Sequence, residues 1–318
     1  MINRIVTSAA EFSYGLSVDS QFKKNPAVCY ILTLGTDQSR KKLVRILNFV
    51  ARFFGHTDLL TCPWEKMKQE DILTIKTFMQ VSKKLSPATI NLTLCAIRGV
   101  VKQAWSLEQI SDHDERVCLS VKGAKGGRIG RGRSLKPDET RCILLNCESD
   151  NTAKGLRDAC IISLGFGCGL RRNEIAELSM SCIRVFDKSI IVHGKGDKER
   201  LIYPSEEIWN RLMKWIDLRG EQGCPFIFTL VRKGDHIDAN KSMSVQAIYK
   251  MIGERAIQSG ITDFSPHDLR RTFATRMLDL GADLNTVKDA LGHASVTTTQ
   301  RYDKRGLERI RSFSCQIS

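Results

Sequence analysis

The order of apolar and polar positions along the chain predicts a mainly helical protein with one small strand region. From Gln38 to Phe54, Leu43, Ile46, Leu47, Val50 and Phe53 recur at helical spacing, and Arg40, Lys41, Lys42, Arg45 and Arg52 lie beside that stripe. Ser86-Pro87 opens a second strong helix, with serine as N-cap and proline in the first turn. It runs to about Trp105 with Ile90, Leu94, Ile97 and Val101 on one face. Asn91, Arg98 and Lys102 fall elsewhere on it, where they can meet phosphates or base edges. Taken alone, this is an amphipathic helix with a wet face. Residues 1–35 show no clear period and predict no core of their own.

Residues 122–133 read KGAKGGRIGRGR, with five glycines and five basic residues, which predicts a flexible cationic linker. The expected organisation is an N-terminal extension over 1–35, a helical domain over 36–121, the linker, and a second domain with a C-terminal tail over 134–318. In that second domain a helical pattern over 153–165 is broken by Gly165, Gly167 and Gly169 just before Leu170 and Arg171. Ser189 to His193 alternates as a strand, Gly194-Lys195-Gly196-Asp197 turns, and a second short strand follows near Arg200 to Tyr203. The last third is mainly helical. Ser265 caps a helix that has Pro266 at its first position and Asp268 completing a capping box. His267 and Arg270, three apart, project from the first turn of that helix. Such a pair can receive a phosphate, or can be an ordinary pair on an amphipathic surface. Asp283 caps another helix through Leu284, Val287 and Leu291, which stops at Gly292 with His293 next. Ser295 can cap a third helix that reaches Tyr302. A lone tyrosine packs far more often than it reacts.

Composition narrows the classes. The length of 318 residues, with 42% hydrophobic and 26% charged residues, suits two ordinary domains and no disordered half. No run of 18 apolar residues and no leader pattern occur, so a cytosolic protein away from membranes is expected. The eleven cysteines include no C-x-x-C pair, which favours reduced, mostly buried thiols over zinc or disulfides. The net charge of +14 is uneven: 21 basic against 11 acidic residues up to Arg133, and 28 against 24 after it. A basic first part suits a polyanion partner, though surface charge for solubility has the same signature. No G-x-x-x-x-G-K-[ST] or G-x-G-x-x-G motif is present, which disfavours nucleotide-driven chemistry. No cofactor or metal is expected.

Five short segments in order carry more than any of them alone. Gly169-Leu170-Arg171-Arg172-Asn173-Glu174-Ile175 resembles the first arginine box of the tyrosine recombinase (phage integrase) family. Gly194 to Arg200 looks like its lysine hairpin, and His267-Asp268-Leu269-Arg270 matches its H-x-L-R box. Leu291-Gly292-His293 resembles the second histidine motif, and Thr298 to Tyr302 the nucleophile segment. Roughly residues 136–305 are covered. Leu85 to Asn91 with Ala96-Ile97-Arg98 is similar, less specifically, to the family's core-binding helix. Asn173 stands where serine is usual, Arg271 where histidine is common, and Asp303-Lys304 follow the tyrosine without a histidine. These departures leave the subfamily open.

The resemblance implies a helical core-binding domain and an α+β catalytic domain forming a clamp around DNA. It implies a catalytic set of Arg171, Lys195, His267, Arg270, His293 and Tyr302, with Glu174 supporting the first arginine box. Lys198 and Arg200 are weaker substitutes for Lys195, and Arg172 is a structural or DNA-surface residue. DNA contacts are expected from Arg40, Lys41, Arg45, Asn91, Arg98, Lys102, Lys125, Arg128, Arg131 and Arg133. The implied partners are double-stranded DNA bearing a specific recombination site and a homotetramer on two paired duplexes, with room for accessory DNA-bending or directionality proteins. The expected place is the cytoplasm, with the nucleoid when bound. Two alternatives stay open: a type IB-like topoisomerase, and a DNA-binding regulator with the fold but no strand exchange.

Overall fold

The computed structural model describes residues 24–126, 132–194, 198–262 and 264–293, and the single positions 295, 296 and 299. The protein is mainly helical with two small sheets among these residues, and it divides into two compact units, Met1–Gly130 and Arg131–Ser318.

The first unit contains α1 (Pro26–Leu32), α2 (Asp37–Phe53), α3 (Gln69–Val81), α4 (Pro87–Ser106) and α5 (Asp112–Leu119). Side-chain caps set the starts: Thr36 accepts from the Ser39 N–H, Ser86 from that of Thr89, and Ser111 from that of Asp114. The predicted stripes of α2 and α4 face one core, where Leu47, Val50, Ile90, Leu94 and Ile97 are essentially inaccessible. Part of the expected extension belongs to that core. Asn25 caps α1, whose Ala27, Val28 and Ile31 are buried, so residues 1–35 do not all lie outside the helical domain. Seven residues are too short to show a helical period, and only their neighbours reveal which face is buried.

The glycine-rich stretch is less free than its composition suggests. Asn91 grips Ala124 on both sides, accepting its N–H at 2.7 Å and donating to its carbonyl at 3.1 Å. Lys76 donates to the Lys122 carbonyl at 2.7 Å, and Arg98 donates to that of Val121. At the far end Arg133 forms a two-point bridge to Glu139, 2.6 Å on each side, and Arg271 donates to the Gly132 carbonyl. The expected linker is therefore anchored at both ends within the units it leaves and enters.

The second unit contains α6 (Pro137–Glu148), α7 (Ala153–Gly167), α8 (Arg172–Ala176), β1 (Ile183–Arg184), β2 (Ser189–His193), β3 (Glu199–Ile202) and α9 (Glu206–Arg219). It continues with β4 (Thr229–Arg232), β5 (His236–Ser242), α10 (Val245–Gln258), α11 (Pro266–Asp279) and α12 (Leu284–Leu291). Helix α7 is buried along most of its length, and Ile161, Ile162 and Leu164 are fully enclosed. It does not break at Gly165 as its glycines predicted. A Cβ on Gly165 would come within 2.7 Å of the Leu269 side chain, so the glycine serves close contact with α11 rather than chain reversal.

Strands β1, β2 and β3 form an antiparallel sheet in that order, with Val192 opposite Arg200 and His193 opposite Glu199. The hairpin of β4 and β5 was not foreseen. The sequence of β5, HIDANKS, has no apolar alternation, and its pairing comes from backbone bonds rather than from a buried face. Ala274, Leu278, Val287 and Leu291 form a small apolar cluster that packs α11 on α12. Each of its valine and leucine side chains contributes on the order of 1.5–3 kcal/mol when fully buried, which holds together the two helices that bear His267 and Arg270 and lead into His293.

Candidate active site

The site of the second unit assembles around the C-terminal end of α12. That helix stops at Gly292, which is left-handed (φ 62°, ψ 47°). The last carbonyls of a helix have no partner within it and carry its negative end. Three arginines from three distant segments take them in succession. Arg200 Nε donates to the Ala290 carbonyl at 3.1 Å, Arg270 Nη2 to that of Leu291, and Arg171 Nη2 to that of Gly292 at 3.2 Å.

Each arginine is placed by its own element. Arg171 is the N-cap of α8, in extended conformation, and its N–H donates to Glu174 at 2.8 Å. Its Nη1 donates to the other oxygen of Glu174 at 2.6 Å, and the side chain remains 39% exposed. Arg270 is 1% exposed and also donates to the Gly169 carbonyl. Arg200 reaches inward from β3 and grips Glu174 with both Nη atoms, at 3.1 and 2.8 Å. Glu174 is 7% exposed. Burial alone would raise its carboxyl pKa, but the hydrogen bonds and charge of Arg200, with those of Arg171, outweigh it and hold the group below the ordinary value.

The two histidines sit against this positive cluster. His293 is buried, and its Nδ1 lies 2.9 Å from the hydroxyl of Thr299, itself fully buried. Burial first, then the charges of Arg270 and Arg171, push His293 from 6.5 down to about 4. His267 follows Pro266 at the start of α11, where Asp268 accepts from both the N–H and the hydroxyl of Ser265, at 2.8 and 2.7 Å. His267 is solvent-accessible but hemmed in enough that burial, then Arg270 and Arg271, lower its pKa. Both imidazoles are therefore neutral near neutral pH, able to accept a proton or a hydrogen bond.

The structure thus brings together Arg171, Glu174, His267, Arg270 and His293 of the expected set. Lys195 and Tyr302 lie outside the described residues, as do Arg128 and Arg131. The residues flanking Lys195 are described: the Gly194 N–H donates to the Lys198 carbonyl at 2.7 Å, and His193 pairs with Glu199 at 3.1 Å. Arg200 is not a stand-in for Lys195, because its guanidinium is turned inward and engaged. Arg172 lies over the Tyr249 ring at 5.0 Å, a cation–π contact. Thr299 escaped sequence reasoning, as did the inward engagement of Arg200, which was read only as a weaker substitute for Lys195. The only signal available for either was membership of a motif already assigned to Lys195 or Tyr302.

The expected DNA-contact residues divide. Lys41, Arg45, Lys102 and Lys125 are exposed. Arg40 is 9% exposed, donates to the Leu34 carbonyl at 2.9 Å and pairs with Asp37, so it supports the start of α2 instead of facing outward. Asn91, Arg98 and Arg133 are engaged with the ends of the glycine-rich stretch. Among the described residues no helix is long and apolar enough to cross a membrane, and no cluster of histidine, cysteine and carboxylate suits a metal ion. The ten cysteines among the described residues are unbridged thiols, and burial pushes Cys168 up to about 12.

Comparison with known proteins follows the same outline. The model of the phage integrase family matches residues 133–307, more than half of the chain. The chain is similar to tyrosine recombinase XerC of Corynebacterium glutamicum, 37% identical over 51% of this chain and 53% of that protein. It spans only about half the length of that relative. Tyrosine recombinase XerC of Pelobacter propionicus is 34% identical over 76% of each chain. In fold, the chain is similar to the Tn1549 transposon integrase in complex with transposon right end DNA. That match has a TM-score of 0.69 and 18% identity, covering 92% of this chain and 98% of the other.

Proposed function

Because this chain belongs to the phage integrase family of tyrosine recombinases, we propose that it is a site-specific DNA recombinase working through a 3′-phosphotyrosyl intermediate. One observation carries the reading: Arg171 and Arg200 share one carboxylate, Glu174, and Arg270 joins them at the end of α12 through the Leu291 carbonyl, beside two histidines whose pKa values are lowered. Such a place attracts a phosphodiester and stabilises the extra negative charge of its transition state.

In the proposed reaction the Tyr302 oxygen attacks the phosphorus, forming the phosphotyrosyl bond as the bond to the 5′-oxygen breaks. His267, neutral and accessible, takes or relays the tyrosine proton. Lys195 delivers a proton to the departing 5′-oxygen. Arg171 and Arg270 hold the non-bridging oxygens, and His293 donates a hydrogen bond to the same phosphate. The phosphotyrosyl link conserves the bond energy, so attack by a 5′-hydroxyl of a second strand rejoins DNA without ATP or metal. Two such exchanges through a Holliday junction, carried out by a tetramer on two duplexes in the cytoplasm, would integrate, excise or resolve a DNA element.

The test is to trap adducts on nicked duplexes drawn from the DNA flanking the gene, in EDTA. The wild type should give an SDS-resistant protein–DNA adduct, and Tyr302→Phe none. Tight binding with no adduct would turn the reading to a non-catalytic DNA-binding regulator. An adduct surviving Tyr302→Phe would put the nucleophile elsewhere.

A further inference from the structure

Arg200 has no part in the reaction above, yet it is the residue through which three parts of the site meet. We infer that Arg200 is a positioning residue that locks strand β3 of the β2–β3 hairpin onto the carboxylate that holds Arg171 and onto the end of α12 that leads into His293. This rests on the recombinase reading of the site.

Arg200 stands on β3 five residues after Lys195 and directly opposite Val192. Its strand neighbours diverge in orientation: Glu199 and Leu201 are exposed, while the Arg200 side chain is only 11% exposed. Directed inward, its fork meets two different elements at once. Both Nη atoms hold Glu174 of α8, at 3.1 and 2.8 Å, and Nε holds the Ala290 carbonyl of α12, at 3.1 Å. Gly292 leaves room for this, since a Cβ there would lie 3.1 Å from Arg200 Nη1.

The consequence for Arg171 follows from sharing. Glu174 is the only carboxylate joined to either guanidinium by a described hydrogen bond, and it serves Arg171 and Arg200 together. Where Arg200 is lost, Glu174 keeps a single arginine partner, and no other described hydrogen bond or ion pair ties the hairpin to α8, which leaves only shared apolar packing. A buried ion pair is poor evidence of stabilisation for its own sake. One that joins the hairpin, the first arginine and the end of α12 gives geometric register to groups that must act on one phosphate. Lysine would keep the charge, but its single ammonium cannot hold Glu174 from both Nη positions and the Ala290 carbonyl at the same time.

The test compares full-length wild type, Arg200→Lys and Arg200→Gln. Amide hydrogen exchange of the free proteins is read over residues 198–202 and 288–293. Duplex affinity and the single-turnover adduct rate at saturating duplex are then measured on a nicked flanking duplex that the wild type cleaves. Arg200→Lys is expected to melt as a folded protein with unchanged affinity, to exchange faster in both segments, and to form adduct about 10²-fold more slowly. Arg200→Gln should be slower still. A saturated rate equal to wild type in Arg200→Lys, or unchanged exchange over 288–293, would overturn the inference. Absence of adduct from the wild type would instead fail the recombinase reading, and the exchange data alone would then decide whether Arg200 ties the two segments.

Discussion

Two groups of arginines in the second unit are held in different ways. In the interior, Arg157 and Arg255 close on Asp158, which is wholly inaccessible, and Asp150 completes the set at 2.7 Å from Arg255. Two guanidiniums meet two carboxylates there, with the Thr229 carbonyl taking a further donor at 3.2 Å. At the end of α12, Arg171 and Arg200 share one carboxylate, Glu174, and main-chain carbonyls accept from these two and from Arg270. Carbonyl oxygens satisfy donors without cancelling charge. The first group is thus a structural joint of matched charges, and the second is a set of cations gathered at the end of a helix by main-chain acceptors. Counting arginines would not separate them; the kind of acceptor each one meets does.

The widest separation comes from breaking each group once. Asp158→Ala strands the buried Arg157 guanidinium and leaves Arg255 only Asp150, and should cost about 3–5 kcal/mol in a denaturant melt, with the adduct rate per folded molecule unchanged. Arg270→Lys keeps the charge but loses the fork, and should lower the adduct rate about 10²–10³-fold with a far smaller loss of stability. Equal effects of the two substitutions on rate would erase the distinction between joint and site.

Acid should sharpen it. The folded state holds His293 at about 4 rather than 6.5, so between those values the unfolded chain binds more protons. Stability is then full above about 6.5 and declines as the pH falls toward about 4. His293→Gln should flatten that decline in melting temperature against pH, relative to wild type. An identical slope in the variant would mean that the cluster exerts no such pressure on the proton.

The smallest effects extend the contrast to the first unit. Asn91 is engaged with Ala124, so Asn91→Ala should cost about 1 kcal/mol of stability. Exposed Lys102 should show the reverse: Lys102→Ala leaves stability within about 0.5 kcal/mol and lowers the salt slope of duplex binding by about one. Salt titration of binding beside thermal melts reads both. A full-strength salt slope in Lys102→Ala would remove Lys102 from the binding face.

Much of this architecture was readable from local spacing. Caps at Ser86, Ser265 and Asp283, the stripes of α2 and α4, the β2–β3 hairpin and the stop at Gly292 all depend on residues within a few positions of one another. Several elements had no individual assignment, among them α1, too short to show a period, and β5, too polar to show alternation. Gly165 misled because a glycine that permits close helix contact has the same letter as one that ends a helix.

By itself, the sequence settled the order of the segments that resemble the family's motifs: two arginine boxes, a lysine segment, two histidines and a tyrosine segment. Resemblance supplied the roles expected of them, and local periodicity and capping supplied the helices and turns that carry the described ones. Only the tertiary structure decided which arginines are engaged, and by what. Arg40, Arg98 and Arg133 were candidates equal to Lys41 and Lys102 until folding paired them with carbonyls and carboxylates of their own units. Arg200, placed with Lys195 by its motif, proved to face inward onto Glu174 and Ala290. A side chain's partner across 26 or 90 positions of sequence is set by packing, and neither charge nor periodicity encodes it.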